Sequence, residues 1–256
     1  MNDRDRYLDK GYIALERLLD AHEIRMLRSE CERLWRRADR SESNVRAVAR
    51  ATLEGGRAID RLDPVSDLSP QIARLARGTR MREVAAAALG EPALLMKDKL
   101  IYKAGGVQGY AVHQDFHVWQ EMPAPPGAIV SIGLAIDPAS AENGAVRFYP
   151  GLHDRLRTAP CIPKDLFGPS SGVVPPEALR GVQPELIPLA SGDAVVFASL
   201  VPHDSAPNRT QTPRRMLYLT YNAARYGDLY QMYYTKFRAY QTADRAAAGD
   251  TGTYLR

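Results

Sequence analysis

Five histidines are the side chains in this sequence best suited to hold a metal: His22, His113, His117, His153 and His203. Two imidazoles and one carboxylate gathered on one face, with the other face open, form the donor set that holds iron(II) for oxygen activation. Positions i and i+2 of an extended segment point the same way, so His113 and Asp115 can supply two of the three donors. The third has to come from another strand, because a strand carries its side chains onward by about 6.6 Å every two residues. That argues against His117, despite the run His113-x-Asp115-x-His117. It better fits a pocket wall or a bend in the strand. His22 opens a helical pattern and reads as a surface or capping residue. His153 follows Pro150-Gly151 and reads as a turn-stabilising residue. His203 remains as the third ligand, just after an apolar run that ends at Leu200.

A second feature follows the distal histidine. Ser205, then Arg214 and Arg215, lead into a strand pattern. A dicarboxylate that chelates a metal through its keto-acid end needs a cation at its far end, and the planar fork of arginine suits a carboxylate. A hydroxyl such as Ser205 can add a hydrogen bond. Adjacent strand residues face opposite sides, so one of Arg214 and Arg215 should point inward, and periodicity alone does not choose between them.

These groups need a β framework, and the pattern supplies one. Strand candidates run from Leu94 to Lys103, Tyr110 to Trp119, Ala128 to Ile136, Ala145 to Tyr149, Glu185 to Pro188, Ala194 to Ser199 and Arg215 to Asn222. Turn signals such as Asn143-Gly144 and Ser191-Gly192-Asp193 separate them. The first ninety residues read as mostly helical. Asp20 caps a helix to about Arg37, and a second helical region from Gln71 to Leu89 ends at Gly90. The expected fold is mainly β with flanking helices, a jelly roll. We expect a single domain over 1–256, with a helical flank at 1–90, a jelly-roll core at 91–225 and a C-terminal extension at 226–256. The Pro- and Gly-bearing stretch from Thr158 to Arg180 has the character of a lid or binding loop. The tail from Ala243 to Gly252 is small and polar.

Composition narrows the partners. The 256 residues are 45% hydrophobic and 25% charged, with a formal net charge of +4. That mild balance and the absence of a basic stripe argue against nucleic acid. The arginines between Arg25 and Arg40 alternate with acids as a solvated helix face does. No apolar run is long enough to span a membrane, and the start has no signal-peptide core. Cys31 and Cys161 show no metal-type or disulfide spacing, which suits a reducing cytoplasm. The expected partner is a small molecule, and nothing in the pattern specifies an oligomer.

As a set, three pieces resemble the phytanoyl-CoA dioxygenase family of iron(II)/2-oxoglutarate-dependent oxygenases. They are His113-Gln-Asp115-Phe-His-Val-Trp119, Glu142-Asn143-Gly144 through Pro150-Gly151-Leu-His153, and His203-Asp-Ser205-Ala-Pro-Asn208-Arg-Thr followed by Arg214-Arg215. The resemblance covers about residues 90–225. It implies a double-stranded β-helix, cupin-like, that uses Fe(II), 2-oxoglutarate and O2. Carried over, His113, Asp115 and His203 are the metal ligands, Arg214 grips 2-oxoglutarate with help from Ser205, and Lys99 reaches the same co-substrate. Asp204 departs from the small residue usual in the family. Related halogenases lack the iron-binding aspartate, so Asp115 argues against halogenation.

The reaction expected is hydroxylation, or a related desaturation, epimerisation or ring closure, of a small molecule. Phe116, Trp119, Tyr102 and Tyr221 are the candidate pocket walls. The arginine-rich composition suggests a GC-rich bacterium and favours secondary-metabolite tailoring over lipid catabolism. Acyl-CoA or phosphonate hydroxylation within the same family is the alternative. A cupin-like metalloenzyme without 2-oxoglutarate would leave Ser205 and Arg214 unexplained.

Overall fold

The computed structural model describes residues 2–40, 45, 47–158, 172–238 and 254–255. The N-terminal part holds α1 (Asp3–Lys10), β1 (Tyr12–Leu15), α2 (Ala21–Asp39), β2 (Ala47–Ala51), β3 (Arg57–Leu62), α3 (Pro70–Arg77) and α4 (Thr79–Leu89). Then come β4 (Ala93–Ile101), β5 (Tyr110–His113), β6 (Ile129–Ala135), β7 (Val146–Phe148), β8 (Glu185–Leu186), β9 (Ala194–Ala198), β10 (His203–Ser205), β11 (Met216–Ala223) and β12 (Tyr254–Leu255). Eight strands form one sheet in the order β1-β9-β6-β11-β4-β3-β2-β12, and four form a second in the order β5-β10-β7-β8. All the strand pairs are antiparallel. Two facing antiparallel sheets flanked by helices are the double-stranded β-helix that the sequence implies.

Alternation along the central strands sorts side chains into two cores. On β9, Ala194 and Val196 join the helix-side core, while Val195 and Phe197 face the second sheet. On β11, Leu217, Leu219 and Tyr221 face the helices, while Met216 and Tyr218 face inward. Every residue of β6 is buried. Gly133 in its middle lies directly across from Tyr218. A Cβ there would sit 2.9 Å from the Tyr218 ring, so glycine is what lets that ring lie flat against the sheet.

The helices begin and end as the sequence dictates. Asp20 caps α2 through the Glu23 amide at 2.8 Å, and Glu23 returns a bond to the Asp20 amide at 3.0 Å, a capping box. Leu27, Cys31 and Leu34 are buried along one stripe. The region from Gln71 to Leu89 is two helices rather than one, parted at Gly78, whose backbone is extended. Gly90 closes α4 in the left-handed conformation.

Three differences from the sequence expectation bear on the site. The 1–90 flank also contributes β1, β2 and β3 to the large sheet. The strand expected from Tyr110 to Trp119 stops at His113, and Asp115–Trp119 forms a 3-10 turn. There the Phe116 amide turns to the Ser199 carbonyl at 2.9 Å and the His117 amide to the Gln114 carbonyl at 3.1 Å, which buries Trp119 in the helix-side core. Finally, the C-terminal extension supplies a helical segment, 230–238, that packs Tyr230, Tyr233, Tyr234 and Phe237 into that core. Most of the stretch from Thr158 to Arg180, all of Ala243 to Gly252, and Cys161 lie outside the described residues.

A buried polar network ties that segment to β4. Tyr230 donates to Asp98 at 2.9 Å, and Tyr234 donates to Asp63 at 2.9 Å. Lys97 meets Asp63 at 2.8 Å, and both are almost fully buried. Burial works against the Asp63 charge, but Lys97 and Arg61 hold its pKa below the ordinary value. A carboxylate with a depressed folded pKa contributes stability above its unfolded pKa of about 3.9 and loses it as pH falls through the folded value. Asp63→Asn leaves Lys97 buried and unpaired, so at pH 7 it should cost about 3–5 kcal/mol in urea denaturation. The gap to wild type should close as the pH drops below 4. A gap that is constant down to pH 2 would show that the pair contributes nothing through its charge.

Candidate metal centre and co-substrate pocket

The metal-ligating candidates converge because of strand register. His203 on β10 lies directly across from His113 on β5, and the two rings sit 4.2 Å apart. Gln114 keeps an extended backbone, φ −119° and ψ 124°, so the i, i+2 alternation survives one residue past the strand. Asp115 thereby returns to the His113 side, with its Oδ1 3.8 Å from His113 Nε2. Gln114 points the opposite way, where its amide donates to the Arg155 and Leu200 carbonyls and accepts from the Arg157 amide. The donor atoms of His113, Asp115 and His203 all lie within 4.8 Å of one another, the one such group among the described residues.

Each imidazole is oriented by its own chain. His113 Nδ1 lies 2.8 Å from the Ala111 carbonyl, and His203 Nδ1 lies 3.0 Å from the Val201 carbonyl. A proton on Nδ1 leaves Nε2 as the free lone pair, the arrangement a metal-binding histidine requires. Burial, then the neighbouring His203, pulls His113 down to about 3, and burial also lowers His203, so both rings are neutral. Burial opposes ionisation of Asp115, but Lys99 and the two imidazoles hold it at about 2. Two neutral nitrogens and one carboxylate, open on one side, fit non-haem iron(II).

One pocket holds these three residues together with Ser205, Arg214 and Lys99. Arg214 is 1% exposed, and its Nε has no hydrogen-bond partner. One terminal nitrogen contacts Met216 Sδ at 2.9 Å. No carboxylate pairs with it among the described residues. Arg215 faces the other way, bidentate to Asp137 at 2.6 and 3.0 Å and 3.1 Å from Glu32. The choice that periodicity leaves open falls on Arg214. A buried guanidinium without an acid beside it is costly unless an anion joins it.

Lys99 shares the pocket. Its Nζ lies over the Tyr218 ring, 5.2 Å from the centroid, and burial lowers its pKa to about 8 against the pull of Asp115. Asp204 borders the same pocket, and its carboxylate is committed elsewhere. It forms a two-point pair with Arg147 at 2.7 and 2.6 Å. His117 is buried in the 3-10 turn with Nδ1 3.0 Å from Thr158 Oγ1. His153 Nε2 meets the Leu8 carbonyl at 3.1 Å, a structural role.

The expected aromatic walls are elsewhere. Tyr221 is fully buried in the helix-side core and donates to the Ala76 carbonyl at 2.6 Å. Tyr102 packs on Trp35 and donates to the Cys31 carbonyl. Trp119 and Phe116 also pack against that core. Strand parity is the reason: on β11 the inward set is Met216 and Tyr218, and Ile101, not Tyr102, faces the pocket. The pocket walls are instead Tyr110, Phe197 and Tyr218. Lys103 also escaped sequence reasoning. It is fully buried and donates to Ser205 Oγ at 2.7 Å, and burial followed by Arg214 lowers it to about 7.

A family model described as phytanoyl-CoA dioxygenase matches residues 7–216, starting well before the motifs that first carried the resemblance. The methylphosphonate hydroxylase of Gimesia maris is 34% identical over 251 residues, which cover 94% of this chain and 87% of that one. The ectoine dioxygenase of Nocardia farcinica is 30% identical over 237 residues, 86% of this chain and 75% of the relative. Among solved structures, EctD from S. alaskensis with 2-oxoglutarate and 5-hydroxyectoine superposes with a TM-score of 0.71 at 24% identity, covering 87% of this chain and 75% of that one. The epimerase SnoN of nogalamycin biosynthesis gives 0.71 at 22%, with 86% and 82% covered. At these identities the structural likeness is one of fold. No helix among the described residues is long and apolar enough to cross a membrane. By its sequence match and its relatives, the chain belongs to the phytanoyl-CoA dioxygenase family, non-haem iron(II) dioxygenases that consume 2-oxoglutarate and O2.

Proposed function

We propose that this enzyme hydroxylates a small substrate with an anionic head group, and that the head group is a phosphonate. The observation that carries this reading is the cationic wall beside Asp115. Lys99 lines the pocket with no carboxylate within ion-pair distance among the described residues. Lys97 and Arg61 add positive charge behind it, and both contact Asp63, at 2.8 and 3.8 Å. The methylphosphonate hydroxylase relative supports the same head group.

In this reading His113, Asp115 and His203 hold iron(II), and Arg214 with Ser205 binds the far carboxylate of 2-oxoglutarate. The bound metal and co-substrate supply oxidation of a substrate C–H bond by O2, with decarboxylation to succinate. Phe148 and Phe197 flank His203 at 5.6 and 5.2 Å and keep water from that side. Lys99 Nζ lies over the Tyr218 ring and feels the Asp115 charge, so we assign Lys99 to the substrate rather than to the co-substrate that the resemblance implied. Secondary-metabolite tailoring is the second reading. It draws support from the sequence composition, whereas the aromatic wall it would use faces the helix-side core. The free buried thiol of Cys31 suits a reducing compartment for either reading.

Methylphosphonate and other small phosphonates should stimulate oxygen-dependent succinate release, with a hydroxylated product visible by phosphorus NMR. Lys99→Met should raise the substrate KM about 10-fold and leave the KM for 2-oxoglutarate within about 2-fold. Equal stimulation by uncharged analogues, or a KM change confined to 2-oxoglutarate, would contradict the assignment.

A further inference from the structure

A phosphonate offers three oxygens, and Lys99 alone does not satisfy them. The register of the large sheet shows what else shares its face. Lys99 and Ile101 line the pocket. Lys97, two residues before Lys99 on β4, points the same way. Arg61 on β3 lies directly across from Ile101, so its side chain leaves that face one strand further out. On β11, Tyr218 and Thr220 lie across from Lys99 and Lys97. The inward face therefore runs on past the pocket by one row, about 6.6 Å along the strands. That row stays polar: Thr220 and Ser131 are buried on it and bonded to each other at 2.9 Å.

The C-terminal segment lies on the same row. Lys97 Nζ is 5.2 Å from the centroid of the Tyr233 ring and 5.7 Å from that of Phe237. Tyr233 is 3% exposed, yet among the described residues its hydroxyl has no hydrogen-bond partner. The Trp119 indole stands beside it and also lacks a partner, but an indole nitrogen only donates and does not take the phenol proton. Burial, then Asp63, pushes the Tyr233 pKa well above the ordinary value, so the phenol keeps its proton. Such a buried donor is costly until a ligand brings the acceptor. Asp115, Asp63 and Arg61 act on Tyr233 and on Lys99 alike, which puts the phenol and the ammonium around one region. We propose that Arg61 and Tyr233 complete the head-group site that Lys99 begins, three donors from β3, the C-terminal segment and β4 that each meet one oxygen of a tetrahedral phosphonate. The fork of Arg61 suits such a group. A planar carboxylate has two oxygens and leaves one donor unsatisfied, so the site selects against it. This inference rests on the reading of Lys99 as a ligand of the substrate head group.

The test is steady-state kinetics on iron(II)-loaded protein with ethylphosphonate and propanoate, two small acids that differ in the head group. Propanoate is read as a competitive inhibitor where it is not turned over. The wild type should favour the phosphonate by at least about 100-fold. Tyr233→Phe should raise the KM for ethylphosphonate about 10-fold and leave propanoate and 2-oxoglutarate within about 2-fold. Its melting temperature should not fall, because the change removes only an unpartnered hydroxyl. Arg61→Met should raise the same KM about 10- to 100-fold, again with 2-oxoglutarate within about 2-fold. Arg61→Lys keeps a charge beside Asp63 and loses the fork, so it should show part of that loss, which covers the case that the methionine variant does not fold. A KM for 2-oxoglutarate that moves as far as that for the phosphonate would show a structural role and overturn the proposal. If the wild type favours the phosphonate and Lys99→Met raises its KM, but the Arg61 and Tyr233 variants keep the wild-type preference, only this inference falls. If the wild type does not distinguish the two acids and Lys99→Met changes nothing, the head-group reading falls and takes the proposal with it.

Discussion

Replacing Asp115 with alanine should lower 2-oxoglutarate-dependent turnover by at least about 10³-fold, roughly 4 kcal/mol of lost transition-state stabilisation. Asp115 is the only anionic donor of the three, held ionised at about 2 by Lys99 and the imidazoles despite its burial. Removing it leaves two neutral nitrogens and a nearby ammonium, a poor site for a hard divalent cation. The fold should survive, because Asp115 begins a short turn and its neighbour Gln114 carries the local hydrogen bonds. Iron affinity by calorimetry should fall together with turnover, at unchanged thermal stability. Full turnover in this variant would remove Asp115 from the ligand set.

The second large effect separates two adjacent arginines. Arg214→Met should raise the KM for 2-oxoglutarate about 100-fold, since a desolvated charge pair of this kind is commonly worth 2–5 kcal/mol or so. The same change should not destabilise the protein without ligand, and is expected to stabilise it by about 1–3 kcal/mol, because it removes a buried cation that lacks an acid partner. Addition of 2-oxoglutarate should raise the melting temperature of the wild type and not of this variant. Arg215→Ala should do the reverse: it breaks the pairing with Asp137 and lowers stability, with the KM for 2-oxoglutarate unchanged. A co-substrate KM that moves with Arg215 instead would reverse the assignment.

The grouping of His113, Asp115 and His203 is legible in the sequence because it depends on short-range rules. Alternation fixes the first two, and the third emerges by elimination among few histidines. What alternation cannot supply is phase. Tyr102 and Tyr221 each lie next to, or near, a residue that does face the pocket, and a shift in phase puts every side chain on the wrong face. The choice between Arg214 and Arg215 is hidden for another reason: both precede the first residue of β11, and Asp137, from a distant loop, decides which one turns outward. Among the strands of the first ninety residues, β3 is hidden by charge. Arg57–Leu62 carries two arginines and an aspartate, and Asp60 is buried by its neighbours Arg50 and Tyr110 rather than by apolar pairing. Lys103, beside Gly105 and Gly106, has the look of a surface turn residue. Only the approach of Gly144 and Ala206 from other segments makes it a buried donor.

The most direct measurement is to add iron(II) and then 2-oxoglutarate to protein kept free of oxygen, and to record the visible spectrum. The site predicts a weak charge-transfer band that needs both additions, is absent in Asp115→Ala, and requires far more 2-oxoglutarate in Arg214→Met. Iron binding without any band at saturating 2-oxoglutarate would contradict keto-acid chelation at this centre, and no iron binding at all would contradict the metal site itself.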